Sequence, residues 1–183
     1  MTILHIDSSI SGDNSASRAI SRSIVDKLRA VHPEADVITR DLVNRPLPHL
    51  TLASFNDSEV LDEFLSVDTV VIGAPMYNFT LPTQLKAWLD RILVAGKTFR
   101  YTENGPEGLA TGKRVVIALA RGGIYDKGSP AAALEHLETY RRGVFNFIGI
   151  EPEFVAADGL AIGPEQRETS IKQALGETVR LAA

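Results

Sequence analysis

Three short segments of this sequence bring together residues that could bind a ligand or support chemistry. Residues 8–17 (SSISGDNSAS) carry a hydroxyl or an amide at six of ten positions. Residues 75–79 read PMYNF, and residues 120–123 read ARGG. Each segment follows a run of apolar residues that is typical of a buried strand. Because parallel strands end at a common edge, these are positions at which open α/β sheets bind ligands.

The polar run over residues 8–17 predicts a site for a phosphate group. Hydroxyls together with the free N–H groups at the start of a helix bind phosphate without needing a lysine. Turns rich in Ser and Asn also serve as ordinary helix caps, so this alternative stays open. A Walker A loop ending at Gly96-Lys97-Thr98 is excluded, because Arg91 stands where its first glycine belongs, and no G-x-G-x-x-G follows the first strand.

The other two segments offer groups that suit a planar ring. The aromatic side chains of residues 75–79 could pack against such a ring, and Asn78 offers it a donor and an acceptor. Gly122 and Gly123 permit close approach of the backbone. Simpler explanations are that Met76 and Phe79 only cap the core and that the glycines only reverse the chain. The coincidence of all three segments favours one ligand with a phosphate and a ring.

The composition limits what this chemistry could be. Among 183 residues, 23 acidic and 19 basic side chains give no reason to expect nucleic acid or an anionic membrane as a partner. The absence of cysteine means that any redox chemistry must come from a cofactor. The histidines lack metal-ligand spacing, so we expect no metal. The sequence shows neither a leader nor an apolar stretch of bilayer-spanning length, which predicts a cytoplasmic protein.

Apolar periodicity predicts five strands that alternate with helices. The predicted strands are residues 2–6, 37–42, 69–74, 113–119 and 153–157. The predicted helices are residues 18–31, residues 57–65, a segment opened by residues 81–84, a segment from Ser129-Pro130 to about Phe147, and a segment from Pro164 to near Leu181. The pattern predicts a single domain over residues 1–183, a flavodoxin-like three-layer sandwich around a five-stranded parallel sheet of order 2-1-3-4-5.

Three further expectations concern single segments. The Gly/Pro-rich residues 103–108 are expected to form a loop. His5 lies in an apolar strand and is expected to pack in the core. Residues 140–142 (Tyr-Arg-Arg) are expected on a solvated helix face.

Longer strings of the sequence resemble the FMN-dependent NADH-azoreductases. They are PMYNF with TQLK at residues 83–86, FRYTENGPEGL at residues 99–109, RGG at residues 121–123, and the serines of the polar run. The resemblance covers nearly the whole chain. It implies a flavodoxin-like homodimer with one non-covalently bound FMN per subunit, which reduces quinones and azo compounds with NADH or NADPH.

The resemblance also assigns site residues. It implies that the FMN phosphate is held by Ser9, Ser15, Ala16 and Ser17. It implies that the isoalloxazine ring is lined by Met76, Tyr77, Asn78, Phe79, Ala120, Arg121, Gly122 and Gly123. Tyr101 and Phe147 match family positions on the substrate side of the flavin, and no residue is assigned as catalytic.

Two departures from the family pattern bear on the pocket. Ala120 stands where relatives usually carry a serine, so only backbone contacts remain at this position. The segment between Leu42 and Val67 is shorter than in the family, which affects the enclosure of the pocket and the choice of substrate.

The leading hypothesis is a ping-pong reaction in which NADH or NADPH reduces the flavin, leaves, and is replaced by a quinone or an azo compound. An alternative is a flavodoxin-like FMN electron carrier without direct NAD(P)H turnover. Such carriers usually present a strongly acidic docking face, which a net charge of −4 supports weakly. A third possibility is a structural α/β module without a cofactor.

Overall fold

A parallel sheet forms the centre of the protein. The computed structural model describes residues 1–181, with the backbone alone at residues 55 and 56. Within these residues the strands of the sheet are β1 (Thr2–Asp7), β2 (Asp36–Asp41), β3 (Thr69–Pro75), β6 (Arg114–Ala120) and β7 (Glu153–Ala157). They pair in the order β2-β1-β3-β6-β7. The predicted order 2-1-3-4-5 is confirmed, because β6 and β7 are the fourth and fifth strands of this sheet.

Helices cover both faces of the sheet. Within the described residues they are α1 (Ala16–Val31), α2 (Glu59–Ser66), α3 (Thr83–Ile92), α4 (Glu138–Phe147) and α5 (Pro164–Leu181), with short 3-10 helices at Gly12–Asn14, Leu52–Asn56 and Ala132–Leu134. Apolar residues of α1 and α5 pack against Ile3 and Val71 on one face. Those of α2, α3 and α4 pack against Leu4 and Ile72 on the other. Each face therefore has its own core, as a three-layer sandwich requires.

The strand β3 lies in the middle of the sheet because its residues are apolar toward both faces. All of Thr69–Pro75 is buried, and the strand pairs with β1 on one side and with β6 on the other. A strand that helices cover on both faces needs no polar alternation. The loops that follow β1, β3 and β6 therefore lie side by side at the carboxyl edge of the sheet.

The expectation of a loop at residues 103–108 is wrong. Phe99–Thr102 (β4) and Gly105–Gly108 (β5) form an antiparallel hairpin. Gly105 has a φ of +108°, which residues with a side chain rarely adopt. Gly108 lies so close to the backbone of Gly149 that a Cβ atom has no room. The glycines that suggested an irregular loop instead serve a tight turn and the packing of the hairpin onto the segment after α4.

The helix α4 begins at Glu138, later than the predicted start at Ser129. The carboxylate of Glu135 accepts the N–H groups of residues 137–139 at 2.8–3.0 Å. A carboxylate in this place satisfies the free N–H groups of the first turn and is favoured by the helix dipole. The cap is thus a side chain at residue 135, and the predicted end of the helix at Phe147 is confirmed.

Arg141 in α4 is fully buried, so the expectation of a solvated face is wrong for this residue. It lies on the same helical stripe as the core residues Leu137 and Phe145. Among the described residues, none of its guanidinium nitrogens has a hydrogen-bond partner. Removal from water lowers the pKa of Arg141 to about 9, although Glu135 and Glu138 favour its charged form. The buried charge therefore opposes folding.

We expect Arg141→Leu to raise the free energy of unfolding by about 1–3 kcal/mol, because it replaces an unpaired buried charge by an apolar side chain. Equilibrium unfolding in urea measures the change. Arg142→Leu is the matched control, since the guanidinium of Arg142 is partly exposed and pairs with Glu138 and Glu151. This control should not be stabilised. A less stable Arg141→Leu protein would contradict the expected cost of the buried charge.

Candidate functional site

The loop after β1 presents hydroxyl and N–H groups at the start of α1. Ser15 is the N-cap, and its Oγ accepts the N–H of Arg18 at 3.2 Å and lies 3.1 Å from Oγ of Ser17. The N–H groups of Ala16 and Ser17 have no acceptor within residues 1–181. Ser9, on the other side of the loop, is buried as well. These groups lie at the positive end of a helix dipole and suit an anion.

A glycine in β3 lets the start of α1 approach the sheet. A Cβ atom at Gly73 would collide with the carboxylate of Asp7 and would lie 3.2 Å from the carbonyl oxygen of Ser17. Below this contact, Ser21 Oγ donates to Asp7 Oδ1 at 2.9 Å and lies 3.0 Å from His5 Nε2. His5 is buried in this network, which confirms the sequence prediction.

The segment after β3 is a tight turn with an unusual backbone. Tyr77 and Thr80 exchange both backbone hydrogen bonds, at 2.9 and 3.1 Å. Asn78 and Phe79 have φ angles of +47° and +72°. Two consecutive positive φ angles define a type I′ turn, which is costly for a bulky residue such as Phe79. Within residues 1–181 the N–H groups of Asn78 and Phe79 have no acceptor, so the turn presents them outward.

Side chains tie this turn to the two neighbouring loops. The hydroxyl of Tyr77 accepts the N–H of Ile10 at 3.0 Å and lies 3.2 Å from Oγ of Ser9. The ring of Phe79 stands edge-on to that of Tyr125, with centroids 6.5 Å apart. The predicted phosphate loop and ring cradle are therefore in direct contact.

The turn after β6 directs its carbonyl groups into the protein. The carbonyl oxygens of Arg121, Gly122 and Gly123 accept N–H groups of residues 159–161 at 2.9–3.1 Å. Among the described residues, the N–H groups of Gly122 and Gly123 have no acceptor. The turn thus offers free donors on the side opposite its bonded carbonyls. Ala120 connects this turn to the end of β3, since its carbonyl oxygen accepts the N–H of Met76 at 2.8 Å.

The side chain of Arg121 does not face this site as a free cation. Its guanidinium donates to both carboxylate oxygens of Asp158, at 2.5 and 2.8 Å. It also lies 3.5 Å from a carboxylate oxygen of Glu135 and from one of Glu138. Arg121 therefore contributes its backbone to the turn, while its side chain holds the turn against the segment after β7.

Two adjoining cavities lie along these loops. One of about 520 Å³ is lined by Ser9, Ile10, Gly12, Asp13, Ser15, Arg18, Ala19, Arg22, Asp41, Val43 and Asn44. The other, of about 590 Å³, is lined by Ile10, Met76, Tyr77, Asn78, Thr80, Leu81, Pro82, Thr83 and Gln84. Both volumes are in the range of small-molecule sites, and Ile10 borders both. The arrangement suits an elongated ligand with an anionic end and a ring.

Tyr101 and Phe147 lie away from these loops in the same chain. Both α3 and α4 follow parallel strands and run back to the amino edge of the sheet, a distance of roughly 15 Å. Phe147 ends α4, and the ring of Phe99 packs on it with centroids 4.6 Å apart. Tyr101 extends from the same hairpin and is 75% exposed. The structure therefore does not bring these two residues to the loops of their own chain.

Tyr125 borders the site and was not predicted. Two of its ring atoms and its hydroxyl oxygen would lie 3.2 Å from a Cβ atom at Gly123, and its ring also contacts Phe79. The sequence signal that could have identified Tyr125 is its place two residues after the Arg-Gly-Gly turn.

The described residues contain no group of three or more potential ligands that could hold a metal ion. None of the described helices is long and apolar enough to cross a bilayer.

The fold and the loops define the class of protein. A parallel sheet of this strand order, with a polar loop at a helix N-terminus and a ring-sized cradle at the adjacent strand end, is flavodoxin-like. The family model described as Flavodoxin-like fold (Flavodoxin_2) matches residues 1–181.

Similar proteins narrow this class. FMN-dependent NADH:quinone oxidoreductase 2 of Bradyrhizobium diazoefficiens is 53% identical over 201 residues, with both chains fully covered. The crystal structure of an azoreductase from Bacillus anthracis (Sterne) has a TM-score of 0.91 at 28% identity and covers 100% of this chain and 98% of that one. An FMN-dependent NADH-azoreductase from Bacillus anthracis (Ames Ancestor), in complex with FMN, has a TM-score of 0.85 at 26% identity, with full coverage of both chains. The chain belongs to the Flavodoxin_2 family and, within it, to that of the FMN-dependent NADH:quinone oxidoreductases.

The comparison also bears on the length of the chain. Its alignment with the Bradyrhizobium protein spans 201 positions, whereas this chain has 183 residues. The relative therefore carries residues that this chain lacks. Their location between Leu42 and Val67 stays a prediction.

Proposed function

We propose that the protein is an FMN-dependent NAD(P)H oxidoreductase that reduces quinones and aromatic azo compounds by a ping-pong mechanism. The observation that carries the proposal is the array of unbonded N–H groups on three loops at one edge of the sheet. Such donors suit a phosphate at one end and the oxygen and nitrogen atoms of a flavin ring at the other. The names of the similar proteins support the same cofactor and the same reaction.

In this proposal the FMN phosphate binds at the start of α1 and the ring binds beside β3 and β6. The phosphate ligands are the hydroxyl and N–H groups of Ser9, Ser15, Ala16 and Ser17. The ring is lined by Met76, Tyr77, Asn78, Phe79, Ala120, Arg121, Gly122 and Gly123. The half-exposed ring of Phe79 supplies apolar surface, and Ala120 and Arg121 contribute only through their backbone.

The residues of the chain position the reactants and stabilise charge. FMN, when bound, supplies the chemistry by accepting a hydride from the reduced nicotinamide and passing two electrons to the acceptor. The N–H groups of Gly122 and Gly123 would act as fixed donors that stabilise negative charge on the reduced ring. The turn at Asn78 and Phe79 holds the aromatic surface on which donor and acceptor bind in succession. Protons for the acceptor come from water.

Tyr101 and Phe147 enter the proposal through a homodimer. Because they lie at the amino edge of the sheet, they can act on the substrate side only at the site of a second subunit. An exposed aromatic side chain on a protruding hairpin suits such a contact. The proposal includes a single domain over residues 1–183 and a cytoplasmic location, both of which stay predictions from the sequence.

We expect the FMN-loaded protein to oxidise NADH when a small quinone or an azo dye is supplied. Steady-state rates at several concentrations of both substrates should give the parallel double-reciprocal lines of a ping-pong reaction, and NADPH is compared in the same way. Quinone reduction needs one cycle, whereas cleavage of an azo bond needs two, so the quinone should turn over faster. No NADH oxidation with either acceptor would contradict an enzyme and favour the FMN electron carrier.

We expect Asn78→Gly to weaken FMN binding about tenfold, which is the size of one lost hydrogen bond to a charged or polar ligand. Glycine keeps the positive φ of this position, so the change isolates the amide side chain. Fluorescence titration of the apoprotein with FMN measures the dissociation constant. Asn104→Gly, in a hairpin turn away from the flavin loops of its own chain, is the control and should leave the FMN dissociation constant unchanged. Unaltered FMN binding and unaltered flavin reduction in Asn78→Gly would remove Asn78 from the site.

The homodimer predicts a mass in solution of twice the 19.9 kDa of the chain. Light scattering coupled to size exclusion measures it, and a monomeric mass would contradict this part of the proposal.

We expect Tyr101→Ala to raise KM for the acceptor, because the residue would border the substrate at the partner's site. Its FMN affinity should equal that of the wild type, because Tyr101 lies away from the flavin loops of its own chain.

A further inference from the structure

Two arginines hold the loop after β1 at its two ends. Arg18 donates to the carbonyl oxygen of Ser9, and Arg167 donates to the carbonyl oxygen of Asn14. We infer that Arg18 and Arg167 are positioning residues for the FMN phosphate, which act through the two loop carbonyls that they bond. The inference rests on the proposed function and adds to it the residues that keep the phosphate loop in its binding conformation.

Arg18 is fixed in place by carboxylates. Its Nε and Nη2 atoms lie 3.3 and 2.9 Å from the carbonyl oxygen of Ser9. Its Nη1 and Nη2 atoms donate to the two carboxylate oxygens of Asp41 at 2.9 and 3.1 Å, and Asp7 lies 3.6 Å away. A bidentate pair of this kind orients a guanidinium closely. The end of β2 thus holds Arg18, and Arg18 holds the first turn of the loop.

The hydrogen bond from Arg18 fixes a phosphate ligand through one peptide unit. The carbonyl of Ser9 and the N–H of Ile10 point in opposite directions across a trans peptide. With the carbonyl bonded to Arg18, the N–H points to the hydroxyl of Tyr77, which it meets at 3.0 Å. The hydroxyl of Ser9 lies 3.2 Å from the same tyrosine oxygen. Arg18 therefore sets the position of Ser9 relative to the ring cradle.

Arg167 holds the other end of the loop, next to the N-cap of α1. Arg167 belongs to α5, and its Nη2 atom donates to the carbonyl oxygen of Asn14 at 2.7 Å. The following residue is Ser15, whose hydroxyl caps the helix. Within residues 1–181 no carboxylate oxygen lies within 4.0 Å of the Arg167 guanidinium, so its charge adds to the positive potential at this end of the loop. Arg18, in contrast, is balanced by Asp41.

The test compares FMN with riboflavin, which carries the same ring without the phosphate. Apoprotein is titrated with each flavin, and the dissociation constants come from the quenching of flavin fluorescence. The variants are Arg167→Gln and Arg18→Lys. The control is Arg29→Gln, an exposed position near the other end of α1. Thermal unfolding of each apoprotein checks that the variants fold, and Arg167→Gln carries the test if Arg18→Lys is unstable.

We expect both variants to bind FMN about tenfold more weakly, the effect of losing one hydrogen bond from a charged donor. Riboflavin affinity should stay within about twofold, because the ring cradle is intact. Unchanged FMN affinity, or equal losses for FMN and riboflavin, would overturn the inference while leaving the proposed function in place. A wild-type protein that does not prefer FMN over riboflavin would overturn both.

Discussion

The site depends on how the backbone carbonyl groups at the carboxyl edge of the sheet are satisfied. In the turn after β6, three successive carbonyls are bonded to residues 159–161. In the turn after β3, the carbonyls of Tyr77 and Thr80 accept each other's N–H groups. Because the two polar groups of a trans peptide point in opposite directions, carbonyls held by the protein leave N–H groups toward the ligand. The site is therefore built from loop conformation more than from charged side chains.

This construction explains two features that are unusual when considered alone. The positive φ of Phe79 is costly for a bulky residue, and two backbone hydrogen bonds between Tyr77 and Thr80 enclose the turn that contains it. Arg121 lies in the turn after β6, yet its guanidinium is bonded to Asp158 and not directed at the candidate site. In both cases the local structure fixes the direction of backbone N–H groups. The same principle applies to the loop after β1, whose end carbonyls are bonded to side chains of α1 and α5.

The sequence predicts the sheet and the place of the site because both follow from short-range patterns. Apolar runs mark the strands, and strand order alone brings the loops after β1, β3 and β6 together. The start of α4 was missed because Ser129-Pro130 resembles a helix start, whereas the cap is the carboxylate of Glu135. The hairpin at residues 99–108 was missed because its packing depends on contacts between distant residues. Gly108 against Gly149 is one such contact. The burial of Arg141 was missed because its residue type favours the surface, although its spacing from Leu137 and Phe145 places it on the apolar stripe of α4.

The position of a site residue relative to the sheet edge was also beyond the sequence. Tyr101 matches a family position on the substrate side of the flavin, and only the direction of α3 and the pairing of the hairpin show that it lies at the opposite edge of its own chain. Likewise, the type I′ turn at Asn78 cannot be inferred from residue type, because neither central residue is glycine. Three-dimensional contacts, and not motif matches, decide which predicted residues act at one site.

If this edge of the sheet binds FMN so that a reduced nicotinamide can reach the ring, NADH must reduce the bound flavin directly. Anaerobic rapid mixing of the FMN-loaded protein with NADH, followed by flavin absorbance, measures this step alone. We expect the flavin to be bleached completely in a direct two-electron reaction. A protein that takes up no FMN, or a bound flavin that NADH leaves oxidised, would contradict it.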